Sequence, residues 1–146
     1  MPNTPGYARL RTGRTSEINR PYHIIISTQP HQHIFSDFHA ARLMTQCLKQ
    51  SDHSQFTQML AYVIMPNHIH WLLVLKSKNI STCVQRVKAQ FSREWGVKIW
   101  NAGFYDHGIR DEESLQSVAR YIVANPLRAG LVQRVGDYPH WDAVWL

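Results

Sequence analysis

Apolar positions along this chain follow two rhythms. Residues 22–28, YHIIIST, are rich in β-branched side chains and predict a strand that buries both faces. Ser36 then reads as an N-cap for a helix to about Gln50, with Phe38, Ala41, Met44 and Leu48 along one stripe. The polar break SDHSQ precedes a strand at residues 60–65, and a further strand runs over residues 68–75. Between them lies Pro66-Asn67, which is not a usual two-residue hairpin turn, so a bulge or wider loop is expected there. Val84, Val87, Phe91 and Trp95 mark a helix that starts near Ser81 and stops at Gly96. A strand-like piece covers residues 100–109. Asp111 then caps a third helix with Leu115, Val118, Ala119 and Ile122 as its buried stripe. Pro126 disturbs that helix, and a short turn through Arg128 ends at Gly130. The tail GDYPHWDAVWL is aromatic without a helical repeat, and its rings are expected to seal the core.

The order β, α, β, β, α, β is that of a ferredoxin-like sandwich of the α+β class, with an antiparallel sheet and an added C-terminal helix. Its two helices cover one sheet face. If Trp71 points into that face, His68 and His70 look out of the other, and the third helix can lay Tyr121 beside them. The 146 residues suit one domain, with a basic arm at 1–20 and an aromatic tail at 126–146.

Charge sharpens this picture. Lys and Arg total 16 against 10 acids, a formal net charge of +6. Such an excess favours a polyanionic partner through phosphate attraction and counterion release, although many soluble proteins are basic without one. Arg9, Arg11, Arg14 and Arg20 face only Glu17 in the first twenty residues. Arg86, Lys88 and Arg93 lie off the stripe of the second helix and read as a solvated basic face. The longest apolar run is far short of the roughly 20 residues of a membrane span. The N-terminal stretch has no signal-peptide core, so a cytoplasmic protein is expected. Cys47 and Cys83 read as buried free thiols.

His68 and His70 share one strand face, roughly 7 Å apart, a spacing from which two imidazoles reach one metal ion; a pair of hydrogen-bonded core histidines is the alternative. His23 opens the first strand, as a third ligand or as a structural histidine. Tyr121 and Asn125 lie one helical turn apart on the shoulder of the buried stripe. Together the histidines and the Asn125 carbonyl oxygen can hold a divalent cation on a phosphodiester while Tyr121 attacks it. A free tyrosine, with a pKa of about 10, is a poor nucleophile at neutral pH, so the metal and a cation such as Lys88 must favour its ionised form.

These residues carry a resemblance. MPNHIHWLL resembles the histidine-hydrophobic-histidine motif of the HUH nucleases, and ARYIVANPLRAGLV resembles the tyrosine segment of the REP-associated tyrosine transposases. The likeness continues through GRTSEINRPYHIIIST, VQRVKAQF, GFYDHGIRDEESL and DYPHWDAVWL, in the same order. It implies cleavage and joining of single-stranded DNA at REP or BIME hairpins, with Tyr121 as nucleophile. The products would be a 5′-phosphotyrosine and a free 3′-hydroxyl. His68, His70 and Asn125 would hold Mg²⁺ or Mn²⁺; Arg9, Arg11, Arg14, Lys88 and Arg128 would contact DNA. Members resemble single-copy relatives of insertion-sequence transposases that act as monomers near the nucleoid, whereas related transposases form dimers that exchange the tyrosine helix.

Asp106 and His107 belong to the same resemblance as second-layer groups, DNA contacts or a structural pair. The alternative function is a non-catalytic, sequence-specific binder of DNA hairpins. A histidine-based nucleotide hydrolase would want a further histidine where Leu72 stands. An RNA-binding ferredoxin-like module would want paired surface aromatics on its strands, which are missing here.

Overall fold

Alternation along the strands decides the layers. The computed structural model describes residues 16–145. In β1 (Pro21–Ser27), Tyr22, Ile24 and Ile26 point into the main core, while His23 is buried on the opposite face. β3 (His68–Leu75) repeats this division: Ile69, Trp71, Leu73 and Leu75 join that core and Leu72 joins a second one. β2 (Thr57–Met65) and β4 (Tyr105–Gly108) complete the four strands foreseen, in the antiparallel order β4-β1-β3-β2 of a ferredoxin-like sheet.

Two helices cover the main core. α1 (Phe38–His53) is capped by Asp37, whose carboxylate accepts from the backbone N–H groups of His39 and Ala40. Ser36, the expected cap, instead closes a 3-10 turn at Ile34–Ser36. Phe38 is correspondingly at the helix rim, 53% exposed, and the buried stripe starts at Ala40. α2 (Ile80–Trp95) starts after the N-cap Asn79 and ends at Gly96, where φ is 92°, as the glycine predicts. Cys47 and Cys83 are free, buried thiols of this core.

The segment read as a polar break belongs partly to α1. Asp52 near its end accepts from Thr57 Oγ1 and from the Met59 N–H, which starts β2 three residues earlier than expected. Within β2, Met59 pairs with Leu73 and Ala61 with Leu72, leaving Leu60 as a bulge. Leu60 and Ala61 thus both face the second core. Pro66-Asn67 makes a two-residue turn after all, since Met65 pairs directly with His68. Its carbonyls are held from outside, by the N–H of Phe35 on Pro66 and that of Thr28 on Asn67.

The other sheet face is covered by α3 (Glu112–Val123), capped by Asp111 as expected and buried through Leu115, Ala119 and Ile122. A short α4 (Asn125–Arg128) follows immediately, with Pro126 inside its first turn. The aromatic tail contributes a fifth strand not foreseen, β5 (Trp141–Ala143), on the free edge of β2. Tyr138 Oη donates to the Ile64 carbonyl and the Ile64 N–H donates to His140, so the tail does seal the fold.

Candidate active site

The alternation that buries Ile69 and Trp71 turns His68 and His70 together toward the α3 side. Their ring centroids are 5.1 Å apart. Each imidazole has its Nδ1 engaged. His68 Nδ1 lies 2.9 Å from Asn67 Oδ1, an acceptor, so Nδ1 carries the proton. His70 Nδ1 lies 2.9 Å from His23 Nε2, inside the protein, and the two rings stack at 5.2 Å and 24°. The contact is a diagonal cross-strand pair: Ile25 sits opposite His70, and His23 opposite Leu72. Nε2 of His68 is therefore left with a lone pair, and Nε2 of His70 is the nitrogen not used within the sheet.

Burial keeps all three imidazoles neutral. His70 is pushed down to about 3, first by burial and then by His23, His68 and Arg128; His23 falls to about 4 by burial and by His107. Burial also lowers His68. Neutral imidazole is the form that coordinates a metal.

α3 brings Tyr121 to this pair. Ile122, fully buried, anchors the helix, and the neighbouring Tyr121 stays 53% exposed with its ring centroid 6.1 Å from that of His70. Because α3 breaks at Ala124 and α4 turns back, the Arg128 guanidinium lies over the Tyr121 ring at 3.8 Å and donates to the Tyr121 carbonyl at 2.7 Å. Asn125, half-buried, opens α4 one turn beyond the tyrosine.

A family model described as "Transposase IS200 like" matches residues 16–125. The chain belongs to the IS200-like transposase family. It is also 34% identical over 82 residues to a REP-associated tyrosine transposase of Escherichia coli K12, an overlap of 54% of this chain and 50% of that one. The chain spans about half the length of the curated relatives it matches. Among solved structures, a REP-associated tyrosine transposase bound to a REP hairpin superposes with a TM-score of 0.79 at 21% identity, over 88% of this chain and 79% of that one. A second, from Deinococcus radiodurans R1, gives 0.53 at 22% identity over 75% and 93%. Both likenesses establish the fold.

In this member of the IS200-like family the remaining candidates fall in different places. Lys88 is buried on the opposite face of the sheet, its ammonium donating to the carbonyls of Asn101 and Gly103 beside Trp100. The cation over Tyr121 is Arg128, not Lys88. Arg9, Arg11 and Arg14 lie outside the described residues. Asp106 and His107, adjacent on β4, point to opposite faces of the sheet. Asp106 is buried opposite Ile24, whereas His107 is exposed opposite His23.

His23 is the residue whose place the sequence hid. The clue was present: in YHIIIS, His23 falls on the face opposite Ile24 and Ile26, and a ferredoxin-like order sets that strand beside His68 and His70. No helix of the described residues is long and apolar enough to cross a membrane. Also among the described residues, no three His, Cys, Asp or Glu side chains form a metal-holding group. A cation here would rest first on the two imidazoles, and the lone pair left on His68 fits one.

Proposed function

We propose that this chain cuts and rejoins single-stranded DNA beside REP-type hairpins, using Tyr121 as the nucleophile. The phenol oxygen bonds to phosphorus as the bond to the 3′ oxygen breaks, leaving a 5′-phosphotyrosine and a 3′-hydroxyl. The exposed phenol gives its proton to water, and water protonates the leaving oxygen. Rejoining reverses these steps. His68 and His70, with Asn125, would hold a divalent cation, Mg²⁺ or Mn²⁺, which when bound would supply positive charge at the scissile phosphate. Arg128, stacked on the Tyr121 ring, keeps the ring over the site and offers its remaining donors to the same phosphate. The arm with Arg9, Arg11 and Arg14 contacts the foot of the hairpin.

The observation that carries this reading is the approach of Tyr121 to His70, at 6.1 Å, on the sheet face that both imidazoles share. The hairpin substrate rests on the family and on the likeness to a relative bound to a REP hairpin. Tyr121 approaches the His70 of its own chain, which favours action as a monomer.

A labelled REP hairpin with single-stranded flanks tests this on a denaturing gel. The native protein with Mg²⁺ or Mn²⁺ should form a covalent adduct that Tyr121→Phe and chelator each abolish. Tight binding without any adduct would make the protein a hairpin reader. An adduct that survives in Tyr121→Phe would place the nucleophile elsewhere.

A further inference from the structure

We infer that His23 is a positioning residue: its Nε2 accepts the Nδ1–H of His70 and so fixes His70 as the tautomer that keeps its Nε2 lone pair free for a cation. This rests on the metal reading of the site proposed above, and it concerns which nitrogen of His70 is available to a cation. A neutral imidazole has one N–H and one lone pair. Were the shared proton on His23, the Nε2 of His70 would carry a hydrogen, and no metal could bind there.

Three observations favour the arrangement with the proton on His70. First, the contact is short and enclosed: 2.9 Å between two buried rings, stacked at 24°. His23 is also met edge-on by Tyr105 at 6.1 Å, so its ring is gripped on β1 by neighbours on two sides. Second, the positive guanidinium of Arg128 sits on the Tyr121 ring, whose centroid is 6.1 Å from that of His70, and its charge reaches this imidazole. A cation there stabilises a lone pair facing it and disfavours an N–H. Third, His68 has the same arrangement by an independent route, with Nδ1 donating to Asn67 Oδ1. The two imidazoles then present matching Nε2 atoms. Partners of this kind set ring orientation and ligand basicity, and their loss typically costs 10–100-fold in metal affinity.

His23 itself is excluded as a third ligand through Nε2, because that atom is occupied by His70. The sequence position that invites a three-histidine metal site is used instead to aim one of two.

The test compares His23→Leu, which removes the acceptor, with His23→Gln, whose amide oxygen can replace it. Two readouts are needed: ¹⁵N chemical shifts of the His70 ring in the metal-free protein, and Mn²⁺ affinity by titration. Native protein should show His70 protonated at Nδ1. His23→Leu should shift the ring toward the Nε2-protonated tautomer and weaken Mn²⁺ binding by about 10–100-fold. His23→Gln should keep the native tautomer and bind Mn²⁺ within a few-fold of native. His70 protonated at Nε2 in native protein would overturn the inference, as would Mn²⁺ affinity and ring shifts unchanged in His23→Leu. Should either variant unfold, the native tautomer measurement still decides. Loss of DNA cleavage with Mn²⁺ binding intact would count against the proposed reaction alone.

Discussion

Each histidine of the site is defined by which nitrogen it has already spent. His68 and His70 were legible as a pair because a period of two places them on one face, and Tyr121 because it lies on the shoulder of an apolar helical stripe. Lys88 was not. A helical wheel tells where a side chain leaves the backbone, but a four-carbon stem can fold under, and here it delivers the ammonium to two loop carbonyls.

Arg128, the cation that lies over Tyr121 where Lys88 was expected, makes a planar contact that lysine cannot copy. Arg128→Lys should therefore slow adduct formation by roughly tenfold, about 1.4 kcal/mol of barrier, with hairpin affinity changed much less. Single-turnover rates at saturating DNA measure this; equal rates would remove Arg128 from the reaction.

The same burial has a second consequence. His23 and His70 refuse protons that the unfolded chain accepts near 6.5, so the unfolded state binds more protons as pH falls. Stability is thus full above 6.5 and is lost on descending toward the folded values of about 4 and 3. In chelator, the urea midpoint should decline below that point, with each titrating imidazole contributing about 1.4 kcal/mol per pH unit. A midpoint level down to about pH 5 would contradict neutral burial of the pair.

At the scale of elements, the boundaries were less legible than the elements. Ser36 and Asp37 are both good caps, and only the 3-10 turn before them decides for Asp37. Leu60 breaks the alternation by which a strand is recognised, and β5 is three residues long, too short for any period to show. α3 was predicted with its cap because Asp111, two glutamates and four apolar positions all agree. Its docking is what brings Tyr121 to His70. Ile122, the residue after the tyrosine, is fully buried against β2 and β3 neighbours in the second core. Ile122→Ala should cost about 2–5 kcal/mol in unfolding free energy. It should also reduce adduct formation under conditions where the protein remains folded, because the helix loses its anchor beside the phenol. Ile122→Val, which keeps most of the contact, should cost only about 0.5–1.5 kcal/mol. If both variants cleave at the native rate while folded, the docking of α3 does not govern the position of Tyr121.

For the whole molecule, the decisive feature is that the sheet is covered on both faces by different means. α1 and α2 build the main core and carry no proposed catalytic group in contact with the histidine pair. α3 and the second core form the thinner layer, and the proposed chemistry lies between that layer and the sheet. This division was partly visible in the sequence, since the ferredoxin-like order leaves one face for the histidines, but which chain supplies the tyrosine is invisible to any local pattern. A helix exchanged between two subunits would have the same apolar stripe. Here α3 packs on its own β2 and β5, and Tyr121 meets the His70 of its own chain. Mixing His70→Ala with Tyr121→Phe protein therefore separates the two arrangements. If each chain uses its own tyrosine, every site in the mixture lacks one essential group, and no adduct should appear at any ratio. Exchange of the helix between subunits would assemble some sites with an intact His70 and an intact Tyr121, and adduct would rise with mixing to a maximum near equal amounts. Light scattering of native protein with and without the hairpin completes the comparison: cis assembly allows cleavage by a species of monomer mass, and exchange requires a dimer in every active fraction.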